Sequence, residues 1–157
     1  MDSFPRLEAQ AFRFEDQRGW VEVLYESDRT VLKRSLSRPG VFRGMHIQLE
    51  PSPQVKLIRV VSGRIIDFVA TVVAEHPQIR HCMLAPEQGW VRIAADLAHG
   101  FYAIEETSFE YVCDGAYVPA AERSYSILDY LARECGIAQP ILSDKDKAAE
   151  PLAVGGR

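Results

Sequence analysis

Val55-Lys-Leu-Ile-Arg-Val-Val61, then Ser62-Gly63, then Arg64-Ile-Ile-Asp-Phe-Val-Ala70 sets two runs rich in Val and Ile on either side of two residues that suit a tight turn. The reading is a β-hairpin. If Val61 faces Arg64, Ile58 faces Asp67 and Lys56 faces Val69, so Lys56 and Asp67 share one face as diagonal neighbours. Two opposite charges on an otherwise apolar face should pair with each other or with a ligand if that face is internal, because burying either alone costs several kcal/mol. Periodicity equally allows the other arrangement, with Leu57, Val61, Ile66 and Phe68 as the core.

Outward from this segment, residues 9 to 128 repeat the pattern as short apolar or alternating runs broken by turn residues. The candidate strands are Ala11–Phe14, Trp20–Tyr25, Thr30–Ser37, Val41–Gln48, Gln54–Val61, Arg64–Val73, His81–Leu84, Gly89–Ile93, Gly100–Ala103, Phe109–Cys113 and Arg123–Ile127. So many β-rich runs predict an all-β sandwich or barrel. Only Leu128–Glu134 carries a helical pattern, and the tail from Leu142, with Ser143-Asp-Lys-Asp-Lys147 and Gly155-Gly156, reads as polar and loosely ordered. With 157 residues and no repeat or linker, the chain is expected to form a single domain over 1–157.

Composition excludes several classes. A formal charge of −4 and a pI near 5.6, without a Lys/Arg cluster interleaved with aromatics, argue against nucleic acid as a partner. No stretch approaches the roughly 20 apolar residues of a membrane span and no leader pattern opens the chain, so the expectation is a cytoplasmic protein with no membrane partner. Cys82, Cys113 and Cys135 are too widely spaced for a zinc site and fit reduced thiols.

Chemistry is concentrated in Gly40-Val-Phe-Arg-Gly-Met-His46-Ile-Gln48, with Lys56 ten residues past the histidine. A metal-binding barrel of this type would place a second histidine where Gln48 stands, and His76, His81 and His99 supply no H-x-H or H-x3-H grouping, so no metal is expected. Without a metal, His46 suits general-base work if a carboxylate orients its other nitrogen, and a nearby cation suits proton abstraction next to a ketone. In Phe109-Glu-Tyr-Val-Cys113, alternation places Phe109, Tyr111 and Cys113 on one face. His99, in Ala98-His-Gly-Phe101, stands beside a glycine at a strand start. The absence of G-x-S-x-G, P-loop and G-x-G-x-x-G patterns removes support for nucleophilic hydrolysis and for a Rossmann-type cofactor.

Taken together, Asp16-Gln-Arg-Gly19, Gly40 to His46, Lys56 to Gly63, Ala98-His-Gly-Phe101, Tyr111 with Tyr117, and Leu142-Ser-Asp-Lys-Asp146 resemble the dTDP-4-dehydrorhamnose 3,5-epimerase family, in the family's order. The resemblance implies a cupin-type jelly roll, a double-stranded β-helix with a short C-terminal helical segment, working without cofactor as a homodimer that exchanges N-terminal strands. It further implies that His46 removes a proton beside the C4 ketone of a nucleotide-diphosphate 4-keto sugar, with Asp146 as its partner. Lys56 and His99 would stabilise the enolate, Asp67 would hold Lys56, and Tyr111 would return a proton from the opposite face. Arg18 and Arg43 would bind diphosphate, with Gln48, Glu122, Lys145 and Tyr117 near the ligand.

Departures fall at the nucleotide end. The family's x-F-x-E after D-x-R-G is replaced by a stretch with Val21 and Val23, and its Gln-x-Asn aligns with Val31-Leu-Lys33. The chain is also shorter between Tyr25 and Thr30, around Ala74 to Gln78, and at the C-terminus. An epimerase with an altered nucleotide or sugar is expected. The alternatives are a nucleotide-sugar 3,4-ketoisomerase and a non-catalytic sugar-nucleotide-binding relative.

Overall fold

The computed structural model describes residues 12–153. Eleven of its strands follow the candidates: β1 (Phe12–Asp16), β2 (Gly19–Glu26), β3 (Thr30–Ser37), β4 (Phe42–Gln48), β5 (Val55–Ser62), β6 (Ile65–Thr71), β7 (Ile79–Leu84), β8 (Val91–Ile93), β9 (Leu97–Ala103), β10 (Thr107–Asp114) and β11 (Glu122–Ser126). Of the first candidate, Ala11 lies outside the described residues. The helix α1 (Leu128–Cys135) falls where expected, and it is followed by a one-turn helix α2 (Asp144–Lys147) and a short β12 (Glu150–Pro151).

The strands form two six-stranded sheets, β1-β2-β3-β10-β5-β8 and β12-β11-β4-β9-β6-β7, antiparallel except for the β11–β12 pair. They face each other as a jelly roll. Between them lie Ile58, Val60, Ile65, Leu84, Ile93, Phe101 and Phe109. A second core, with Phe42, Met45, Ile47, Phe68, Ala70 and Ala98 from the back of β4, β6 and β9, is closed by Ile127, Leu131 and Leu142 of the C-terminal segment. Strands β6 and β9 therefore carry core residues on both faces, which is why periodicity allows no single answer there.

The expected hairpin does not exist. Strand β5 pairs with β10 and β8, whereas β6 pairs with β9 and β7, so Ser62-Gly63 is a corner by which the chain leaves one sheet for the other. Gly63 has φ +85°, and a Cβ there would collide with the Glu106 carbonyl and Thr107, so the requirement for glycine is set by a neighbouring loop. Lys56, Ile58 and Val60 turn inward on β5, and Leu57 and Val61 are 39% and 40% exposed.

The C-terminal tail, expected to be loosely ordered, is ordered through residue 153. The Phe42 N–H donates to Ile141 O at 3.0 Å, the Ile141 N–H to Gly40 O at 2.8 Å, and the Gln17 side-chain amide to Leu142 O at 2.9 Å. With Leu142 buried and β12 paired to β11, the segment is pinned across β4. Gly155 and Gly156 lie outside the described residues.

Candidate active site

Simple alternation would put Arg43 and His46, three residues apart, on opposite faces of β4. Both line the cavity, because the β4–β9 register shifts between them. Gly44 supplies the bulge: it has φ +124°, and its missing Cβ would stand 2.5 Å from the Gly100 Cα. The same irregularity turns Phe42, Met45 and Ile47 to the opposite face, into the core beneath α1. Gly44→Ala is expected to cost on the order of 3 kcal/mol, from strained φ and a backbone clash. That is a fall in Tm of about 6–12 °C for a domain of this size, measurable by thermal melting.

The inner face of the first sheet forms the cavity floor in rows fixed by strand pairing. One row is Phe14, Val21, Ser35, Phe109; the next is Phe12, Val23, Lys33, Tyr111, Ile58; the third is Glu26, Val31, Cys113, Lys56. From the facing sheet come Arg43, His46, Gln48, His99 and Phe101, with Arg18, Tyr117 and Glu122 also in the lining. The cavity measures about 570 Å³, within the usual range for small-molecule sites.

His46 Nε2 lies 2.7 Å from Asp146 Oδ1, across 100 residues of sequence. Asp146 is 3% exposed, and α2 places it: the Ser143 hydroxyl caps the helix by accepting from the Asp146 N–H at 3.0 Å. Burial works to raise the Asp146 carboxyl, but hydrogen bonding and charge from His46, the Gly44 N–H and Ser143 hold it below the usual carboxylate value. The carboxylate is thus ionised and accepts only, so His46 Nε2 carries the hydrogen. Nδ1 has no hydrogen-bond partner among the described residues and is the nitrogen available to a substrate.

Tyr111 stands on β10 in the sheet opposite His46. Burial, and next the Cys113 sulfur, raise its phenol well above the usual value despite Arg43 and Arg18, so it stays protonated at neutral pH. Lys56 Nζ donates to the His46 carbonyl at 2.8 Å, and burial lowers its ammonium against the pull of Cys113 and Glu122.

Asp67 does not hold Lys56 as expected. It sits behind the lining on β6, where its Oδ1 is 2.7 Å from His99 Nε2, because β5 and β6 belong to different sheets. His99 pairs directly with His46 across β4–β9. The cavity therefore holds two histidines, each backed by a buried carboxylate.

The remaining candidates divide by what already occupies them. Arg18 Nη2 is 2.7 Å from Asp16 Oδ2. Arg43 donates to Ser37 Oγ at 2.9 Å and Leu36 O at 3.3 Å; burial and then Arg18 push its guanidinium down to about 10, so it remains a cation. At the mouth, Glu122 accepts from Tyr117 OH at 3.0 Å and pairs with Lys145 at 2.9 Å; Lys145 itself is outside the lining. The Gln48 amide donates to Ser52 O and Ala116 O and accepts from the Val118 N–H, so the side chain expected to meet substrate mainly fastens two loops at the cavity mouth. Among the described residues, no three His, Cys, Asp or Glu side chains converge as a metal would require. Lys33, Ser35 and the cap at Ser143 join the site only through the fold. The Ser-x-x-Asp spacing at Ser143 to Asp146 is a recognisable N-terminal helix signal.

Fold and cavity together define a cupin-type sheet sandwich. A profile of the dTDP-4-dehydrorhamnose 3,5-epimerase family matches residues 6–153, and the chain belongs to that family. A dTDP-4-dehydrorhamnose 3,5-epimerase of Mycobacterium tuberculosis is 33% identical over 124 residues, which cover 73% of this chain and 61% of that protein's length. A dTDP-4-dehydro-6-deoxyglucose 3-epimerase of Streptomyces bikiniensis is 30% identical over 133 residues, covering 78% and 66%. The crystal structure of the dTDP-4-dehydrorhamnose 3,5-epimerase of Bacillus anthracis with TDP and PPi bound aligns with a TM-score of 0.70 at 27% identity, covering 90% of this chain and 91% of that one.

Proposed function

We propose that the protein is a cofactor-independent epimerase of a nucleotide-linked 4-keto-6-deoxy sugar, inverting C3, C5 or both in deoxysugar biosynthesis. The observation that carries this reading is the His46–Asp146 pair facing Tyr111 across one cavity that also holds Lys56. His46 Nδ1 takes the proton from the carbon next to the C4 ketone, and the electrons of that C–H bond become the enolate. Asp146 stabilises the imidazolium that forms. The Lys56 ammonium stabilises the developing oxyanion, where a desolvated fixed cation acts most strongly. Tyr111 then gives its phenolic proton to the other face of the carbon, which inverts it, and solvent restores both residues.

Arg18 and Arg43 would meet the diphosphate, arginine forks being suited to its oxygens. Tyr117, Glu122 and Lys145 would close the mouth over the sugar. His99, held by Asp67, would support the oxyanion together with Lys56. The assembly we propose is a homodimer of one-domain chains exchanging N-terminal strands, in the cytoplasm; its support is the edge strand β1, where Phe12 and Phe14 are 60% and 68% exposed. No described helix is long and apolar enough to cross a membrane.

Proton NMR with dTDP-4-keto-6-deoxyglucose in deuterium oxide tests the reaction. The expected result is loss of the C3 signal, the C5 signal or both, with an inverted product. A carbonyl moved to C3 would instead identify a ketoisomerase. No exchange with dTDP-, UDP-, GDP- or CDP-linked 4-keto sugars would sink the proposal.

A further inference from the structure

Among the described residues four cations line the cavity, and three already have partners. Arg18 is paired with Asp16, Arg43 with Ser37 Oγ and Leu36 O, and Lys56 with the His46 carbonyl. Lys33 is the exception: its ammonium makes no ion pair or hydrogen bond among the described residues, although Glu26 stands at the same rim. Strand pairing places Lys33 between Val23 and Tyr111, in the middle of the floor. Two residues along β3, on the same face, the Ser35 hydroxyl is buried and also without a partner among the described residues. The Cys113 thiol, raised by burial, is drawn back by Lys56 and then Lys33, so both ammoniums bear on the same patch of floor.

Beyond Lys33 the floor changes character. Phe12, Phe14, Val21, Val23 and Val31 occupy successive positions of β1, β2 and β3, and none carries a side-chain donor or acceptor. A surface of this kind holds a planar ring by stacking and apolar contact, which any base satisfies. A site that reads a base by hydrogen bonds needs polar groups placed at the base edge; these five side chains offer none, and among the described residues their polar neighbours in the same rows are Glu26 at the rim, Ser35 and Lys33.

We propose that Lys33, with Ser35 beside it, binds the diphosphate of the ligand, and that this contact rather than hydrogen bonding to the nucleobase carries nucleotide recognition. The inference rests on the reading of the ligand as a nucleotide-linked sugar. It assigns a binding residue to a position where the family pattern has an uncharged amide, and it makes the protein tolerant of the base.

Calorimetric titration of the purified protein with dTDP, UDP and GDP tests it, using wild type, Lys33→Ala and Lys33→Arg. Wild-type Kd values are expected to agree within about tenfold, whereas a site built to hydrogen-bond its ligand discriminates by about 10⁴. Lys33→Ala should weaken all three alike by about 10- to 100-fold, the loss of one charge-assisted contact, and Lys33→Arg should restore most of it. A preference for one base beyond tenfold overturns the proposal, as does an alanine variant, shown folded by its melting curve, that binds dTDP like wild type. The exchange assay separates the two readings. Lys33-dependent binding without turnover of any 4-keto sugar would remove the epimerase and leave this inference standing. Turnover of a dTDP sugar with Kd and KM unchanged in Lys33→Ala would do the reverse.

Discussion

His46→Ala is expected to lower kcat for deuterium exchange into a 4-keto sugar by about 10²–10⁴, the usual contribution of a positioned general base. KM should change little, since in the proposed mechanism the imidazole would act on the reacting carbon while Arg18, Arg43 and Lys33 would meet the phosphates. The fold should survive, because the His46 side chain is 32% exposed in an open cavity and belongs to neither apolar core. The variant leaves Asp146 buried without its imidazole, so a fall in Tm is expected alongside the loss of rate. Wild-type exchange in a folded His46→Ala protein would assign the base elsewhere, and His99, with its own carboxylate, is the residue to test next.

Tyr111→Phe separates exchange from inversion. The substitution keeps the ring against Phe109, whose centroid is 6.0 Å away, and removes only the hydroxyl. With His46 intact, the C–H bond still breaks and deuterium returns from the base side. Label should therefore appear in recovered substrate while inverted product falls by about 10² or more. Product NMR on a deuterium oxide reaction reads both outcomes at once. Inverted product at the wild-type rate would show that the second proton comes from another group or from water, and would bring the ketoisomerase alternative back into contention.

Relations between residues near each other in sequence are legible along the chain, and those closed through space are not. Every candidate run became a strand, because alternation and β-branched content report directly on a half-buried pleated surface. Ser62-Gly63 is ambiguous for a reason of the same kind. A glycine at positive φ suits a hairpin and an inter-sheet corner alike, and nothing local says which sheet the next strand joins. The same ambiguity extends to Asp67, whose expected place beside Lys56 depends on a register that the two strands do not share. Gly44 was visible as a glycine, but its bulge is defined only against β9.

The β class, the inward set on β10, the lack of an H-x-H or H-x3-H grouping and the motifs that mark the family are all legible along the chain. Each is a property of periodicity or of residues in fixed order along the chain. Which carboxylate serves which cation or imidazole is settled by packing in three dimensions. Asp146 reaches His46 because a tail with little apolar content is hydrogen-bonded across β4 and capped by Ser143. Likewise, Lys33 and Ser35 stand without partners among the described residues because of where two facing sheets leave a cavity open. Ion pairs and vacancies of that kind depend on distances closed by the whole core, and no local pattern records them.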